Sequence, residues 1–219
     1  LPRLKMSYEE WLEWIPDGAQ GEWVDGEGII FMPAGARHQW AVALLYALIK
    51  GFTEYHDLGL AMFAPFEIKL WPGGPAREPD VLFLAHAHRD RFTENRLVGP
   101  PDFAGEVMSP SSETRDRVDK FRQYAAAGIP EYLFLDPQLP SPSLDLYRLD
   151  GRQSYEPTPA DGCGRIHSRV LPGLWFHPDW SRGEQFPDAD DLLYLIIGDA
   201  YTDWWLAQRR AGRARFGGR

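Results

Sequence analysis

Along the chain the apolar positions switch repeatedly between a period of two and a period near four, and each switch predicts an element. Ser7 and Glu10 have the spacing of a capping box ahead of Trp11, Leu12, Trp14 and Ile15, which predicts a short amphipathic helix ended by Pro16-Asp17-Gly18. Glu22-Trp23-Val24 and Gly28-Ile29-Ile30-Phe31 flank Asp25-Gly26, a dipeptide suited to a tight turn, so a hairpin is expected over 21–32. From Ala36 to Tyr55, Trp40, Leu44, Leu48 and Phe52 recur every four positions, and Ala41, Leu45 and Ile49 widen the stripe. This is the pattern of a long helix with Trp40 on its core face. The run from Ala61 to Trp71 ends in alternation, with Phe66, Ile68 and Leu70 opposite Glu67 and Lys69, as in a half-buried strand. Pro72-Gly73-Gly74-Pro75 then forces a turn, and the segment carrying Asp80 returns antiparallel.

After a loop over 86–101, the strand from Phe103 to Met108 places Phe103, Gly105 and Val107 on one face and Ala104, Glu106 and Met108 on the other. A second helix over about 112–127 carries Val118, Phe121 and Ala125 as its core stripe, with Asp116, Lys120 and Tyr124 along an adjacent line. Glu131 to Pro137 reads as a buried strand, followed by a hairpin from Leu144 to Tyr155 around Asp150-Gly151. The stretch over 157–187 reads as loop with one strand near 166–170. A last helix over about 189–211 bears Leu192, Leu195, Ile196, Ala200 and Trp204 on one side. Hairpins, two long helices and returning strands together fit an α/β or α+β fold with a mixed sheet covered by helices.

Composition narrows the picture. The 219 residues, 44% hydrophobic and 25% charged, are enough for one substantial core. The apolar stretches fall short of a bilayer span and no signal segment opens the chain, so the cytoplasm is the expected compartment and no membrane contact is expected. A lone cysteine, Cys163, excludes an internal disulfide framework and a multi-thiol zinc site within one chain. A formal charge of -9 argues against gripping nucleic acid by overall positive potential. It does not exclude a nuclease, because metal-binding carboxylates contribute to that total. The arginines from Arg209 to Arg219 read as a solvated basic tail.

Candidate chemistry starts with the acids. Asp80 and Glu106 sit on two short apolar strand candidates, Arg77 to Leu84 and Phe103 to Pro110, and they converge if those strands lie side by side. With Glu22 from the first hairpin they offer three oxygen donors to Mg²⁺ or Mn²⁺. Such an ion lowers the pKa of a bound water and neutralises charge on a phosphate under attack. Lys120 follows on the next helix, where an ammonium can orient the attacking water or steady the transition state. His38, in the first turn of the long helix, and Asp116 and Tyr124 are candidate supporting residues. Taken singly, each has a plainer role: Asp80 as a strand cap, Glu106 paired with an arginine, Asp116 and Lys120 as a helix-surface ion pair. Jointly they do not, because a carboxylate on the face of Ala104 and Met108 needs a partner or a metal.

The stretches Glu-Pro-Asp-Val-Leu-Phe at 78–83, Gly-Glu-Val-Met-Ser-Pro-Ser-Ser at 105–112, then Asp116, Lys120, Tyr124 and Gly-Ile-Pro-Glu-Tyr-Leu-Phe-Leu-Asp-Pro at 128–137 closely resemble the Uma-two family. That bacterial family is placed within the PD-(D/E)XK, or restriction-endonuclease-like, nuclease superfamily. Glu22 to Glu27 and Arg37-His38-Gln39 also look like its pattern, so the resemblance covers about residues 5–175. It implies an α/β, restriction-endonuclease-like mixed sheet flanked by helices, here with extra hairpins and a C-terminal helix. It also implies a divalent cation, Mg or Mn, and hydrolysis of phosphodiester bonds. Carried over by position, Asp80 matches the first acid and Glu106 the second, both as metal ligands, and Glu22 matches an acid that some members add. Two residues beyond Glu106, where the superfamily has lysine, this chain has Met108, and Lys120 is the candidate for a lysine moved to the following helix.

The expectation is therefore a nuclease domain over 1–177 and a C-terminal helical extension over 178–219. The expected activity is metal-dependent DNA endonuclease, with Glu22, Asp80 and Glu106 on the metal, Lys120 catalytic, and His38, Asp116 and Tyr124 behind them. A homodimer is expected from the aromatics near Trp204 and Trp205. The alternatives are a nuclease-fold protein that binds nucleic acid or a protein partner without cutting, and an interaction module built on the tryptophans.

Overall fold

The computed structural model describes residues 3–16, 19–30, 34–108 and 114–216. Side chains at 114–117 and 213–216 lie outside that description. The capping box forms as the sequence predicts. Ser7 Oγ accepts from the Glu10 N–H, the Glu10 carboxylate accepts from the Ser7 N–H, and α1 (Tyr8–Trp14) follows. Strand β1 (Arg3–Lys5) precedes it. The first hairpin is β2 (Gly21–Val24) and β3 (Glu27–Ile30), joined through Asp25 and Gly26 at φ of 51° and 82°. Two positive φ values in succession are what a turn matching the strand twist requires.

Helix α2 (Ala36–Tyr55) buries Ala41, Leu44, Leu45, Leu48, Ile49 and Phe52. Trp40 corrects the sequence expectation, because it is 56% exposed. Its line becomes covered one turn later, at Leu44.

The run after α2 is also divided. It forms β4 (Gly59–Phe63) in one sheet and β5 (Glu67–Lys69) in another. The chain changes sheets at Pro65, which has no N–H to donate to a ladder. The returning segment divides in the same way, into β6 (Ala76–Arg77) and β7 (Val81–Ala85), with Pro79 between. The expected loop over 86–101 holds a 3₁₀ turn (His86–Arg91) and β8 (Arg96–Val98).

Strand β9 (Phe103–Val107) is followed by α3 (Thr114–Ala127), β10 (Glu131–Asp136), β11 (Ser143–Leu149) and β12 (Tyr155–Pro157). The glycine-rich stretch adds a small ribbon of β13 (Ile166–His167) and β14 (Trp175–Phe176). One sheet has the order β1-β3-β2-β6-β5-β8 and the other β12-β11-β10-β9-β7-β4. In the second, β9 and β10 run parallel, joined by α3 as the crossover, and the other pairs are antiparallel. This is a mixed α/β architecture with helices on both faces of the second sheet.

The faces of that sheet feed separate apolar clusters. Val81, Phe83, Phe103 and Val107 pack with α2. Leu82, Leu84, Ala104, Tyr132 and Phe134 pack with Tyr124 and Ala125 of α3. The α3 face differs from expectation: Val118 is 42% exposed while Lys120 and Tyr124 are buried.

The expected single terminal helix is two, α4 (Ala189–Ile197) and α5 (Asp199–Phe216). Gly198, at φ 88°, breaks the run because a residue with a Cβ avoids that conformation. Arg37, at the start of α2, donates to the carbonyls of Pro137, Ser181 and Gly183, which ties the approach to α4 to the end of β10. Among the described residues no helix is long and apolar enough to cross a membrane.

Candidate active site

Two antiparallel strands bring the central acids together. Val81 pairs with Gly105, so the next rung sets Asp80, just before β7, against Glu106 in β9. Asp80 Oδ2 accepts the backbone N–H of Val107 at 2.7 Å, which fixes the carboxylate across the strand end. Glu106 lies on the α3 face, and there Lys120 and Tyr124, one helical turn apart, meet it. Tyr124 donates its hydroxyl to Glu106 Oε1 at 2.7 Å and Lys120 Nζ lies 3.1 Å from Glu106 Oε2. Lys120 Nζ also lies 3.0 Å from Glu22 Oε1, and Glu22 arrives from β2 in the other sheet. The site therefore sits where the two sheets and α3 meet. From α2, His38 Nε2 comes within 3.5 Å of Asp80 Oδ2, beyond good hydrogen-bond length. Its buried Nδ1 has no protein partner among the described residues.

Sequence reading passed over Arg77, Glu78 and Gln123. Arg77 is 1% exposed, and it gives Nη1 to Glu22 Oε2 and Nε to Gln123 Oε1, the latter at 2.8 Å. Glu78 accepts the Gly21 N–H at 2.9 Å. The available signal was a charged pair, Arg77-Glu78, inside a stretch that otherwise reads as strand. Nothing local linked them to Glu22, more than fifty residues away in sequence.

Burial and crowding of acids dominate the electrostatics. Removal from water pushes the Glu106 carboxyl up to about 8, opposed by Lys120 and reinforced by Asp80 and Glu22. The attraction of one ammonium, shared with Glu22, does not overcome desolvation. Glu78 is likewise raised to about 8, mainly by burial. For Glu22 the balance reverses: burial is again the largest influence, but Lys120 and Arg77 together hold the carboxyl below its ordinary range. Burial also raises the Tyr124 hydroxyl, so it stays a donor.

The donor set decides what the site could hold. Glu22 has one oxygen on Arg77 and the other on Lys120, with the Glu78 N–H at 3.3 Å from the latter. Among the described residues no three His, Cys, Asp or Glu side chains lie as a group able to hold a metal ion. Asp80 and Glu106 are a better fit: two adjacent carboxylates, one of them shifted toward protonation chiefly by burial, with the charges of Asp80 and Glu22 adding to it. A proton relieves that repulsion at Glu106, and a divalent cation would relieve it more. Asp116 lies on α3 with its side chain outside the described residues.

This combination of mixed sheet, crossover helix and acids at a strand end defines a nuclease-like class of fold. A crystal structure described as "a putative nuclease belonging to DUF820" from Anabaena variabilis ATCC 29413 is similar in fold, with a TM-score of 0.63. It is 16% identical, and the match covers 80% of this chain and 96% of that one. Residues 7–179 match the Uma2 family, described as "Putative restriction endonuclease". The chain belongs to that family. No curated protein matches it.

Proposed function

We propose that the protein is a metal-dependent endonuclease that hydrolyses phosphodiester bonds of DNA. The observation that carries this is the position of Lys120, whose ammonium bridges Glu22 and Glu106 at 3.0 and 3.1 Å beside the Asp80 carboxylate. An amine held next to a pair of acids is the arrangement needed to orient a water at a phosphate. Asp80 and Glu106 would hold Mg²⁺ or Mn²⁺, which when bound supplies an acidified water and neutralises phosphate charge. The residues themselves do the positioning. The Val107 N–H fixes Asp80, and His38 stands beside it. Tyr124 fixes one oxygen of Glu106, and Lys120 faces the other. Glu22, expected as a third ligand, serves in this proposal as the counter-charge that places Lys120.

The test is conversion of supercoiled plasmid with Mn²⁺ present. Wild type cuts and Asp80→Ala does not; equal activity in both contradicts the proposal. Metal-dependent DNA binding without cutting by wild type would favour a non-cleaving nuclease-fold protein, a reading supported by the internal partners already on Glu22 and Glu106. We also propose a homodimer through the aromatic face around Trp204 and Trp205, both part-buried. Sedimentation velocity checks it against the 25.0 kDa of one chain.

A further inference from the structure

Arg77 is among the most completely buried charged side chains in the described residues, and the proposed chemistry leaves it without a task. Its two arms reach different elements. Nη1 meets Glu22 on β2, and Nε meets Gln123 on α3 at 2.8 Å. Gln123 lies three residues after Lys120 on the same helix, where the two side chains are neighbours. The contacts therefore close a ring, from α3 through Gln123 to Arg77, to Glu22, to Lys120 and back to α3.

We infer that Arg77 is a positioning residue for Lys120: by holding one oxygen of Glu22 it presents the other to the ammonium, and by holding Gln123 it fixes the helix that carries the lysine. The inference rests on the reading of Lys120 as the group that orients the attacking water. The physical need is clear. A flexible four-carbon amine between two carboxylates has many placements, whereas a ring closed through both sheet and helix leaves one. The residue type follows as well. A guanidinium presents several donors in a rigid fork, so one side chain can satisfy two acceptors on separate elements. A lysine at 77 keeps the charge and loses one arm.

The experiment compares Arg77→Lys, Gln123→Ala and Glu22→Gln with wild type by steady-state plasmid cleavage, Mn²⁺ calorimetry and acylation of Lys120 mapped by mass spectrometry. Arg77→Lys is expected to lower kcat about 10- to 100-fold, the usual effect of losing a supporting partner behind a metal site. KM and Mn²⁺ affinity stay within about threefold, because the change reaches the ion only through Lys120. Acylation of Lys120, slow in wild type because the amine is buried and paired, rises at least severalfold. Arg77→Lys combined with Glu22→Gln is expected to be no worse than the poorer single variant, as for residues acting in series. Arg148→Lys is the control: Arg148 pairs with buried Glu131 at 3.2 Å, away from Lys120, and its loss should destabilise the fold without changing kcat.

Unchanged kcat and acylation in Arg77→Lys overturns the inference. Equal loss of kcat in Arg148→Lys overturns it too, by showing a stability effect alone. The acylation comparison needs no catalysis, so an inactive wild type would sink the nuclease proposal while Lys120 labelling still decides the role of Arg77.

Discussion

At the scale of single residues, the site is a cluster of buried acids under-supplied with cations, and pH should reveal it. Glu106 and Glu78 are both raised to about 8 in the folded protein. Each holds a proton that the unfolded chain releases near its ordinary carboxylate pKa. Their contribution to stability is therefore fully present below that ordinary value and is lost as pH rises through about 8. Glu22, shifted the other way, is ionised throughout this window and does not offset the loss. In metal-free buffer the Tm should fall between pH 5 and pH 8, and Glu106→Gln should flatten that slope, as measured by thermal unfolding across the range. Lys120→Met leaves Glu22 and Glu106 facing each other without their shared ammonium. Breaking a buried pair in this way costs about 3–5 kcal/mol, and for a chain of this size each kcal/mol lowers the Tm by about 2–4 °C. The same variant should lose about 10²- to 10⁴-fold in cleavage rate, the range for an acid–base group. A Tm and a rate within error of wild type would show that Lys120 is not central.

At the scale of elements, the C-terminal helices depend on close approach. A Cβ at Gly51 of α2 would come within 2.4 Å of Leu193 Cδ1 on α4. Gly51→Val should therefore prise α4 from α2 and destabilise by about 1–3 kcal/mol, the range for overpacking, read as faster hydrogen exchange in α4 and α5 with α3 unchanged. Local chemistry explains which elements the sequence disclosed. The Ser7–Glu10 box, the Asp25-Gly26 turn and the alternating faces of Phe103 to Met108 are set within a few residues. Allocation between sheets is not local: the run from Ala61 to Trp71 reads as one strand until the Pro65 crossing assigns its parts to different partners. Trp40 and Val118 misled because a period near four fixes the stripe only to within a residue or so, and packing chooses the line.

At the scale of the whole molecule, a formal charge of -9 and an acidic site describe the same property. A polyanionic substrate would meet repulsion unless cations intervene, so cleavage should require the divalent ion for approach as well as for chemistry. The convergence of Asp80, Glu106 and Lys120 was legible in sequence from residue types and spacings. The contacts around them were not legible. Glu22 proves tied to Arg77 and Lys120, and nothing local to Arg77 disclosed those partners, because the ring joins β2, β6 and α3 across two sheets. Helices α4 and α5 lie beyond the family match, which ends at residue 179. The contacts of α2 with the approach to α4 at Arg37 and with α4 at Gly51 were equally hidden, since both span more than a hundred residues.

The most direct test of the central claim is a calorimetric titration of Mn²⁺ into wild type and Asp80→Asn at pH 7.5. Saturable binding to wild type, lost in the variant while its far-UV circular dichroism is retained, is the predicted result. No binding to wild type, or the same isotherm for both proteins, would contradict a metal held at Asp80 and Glu106.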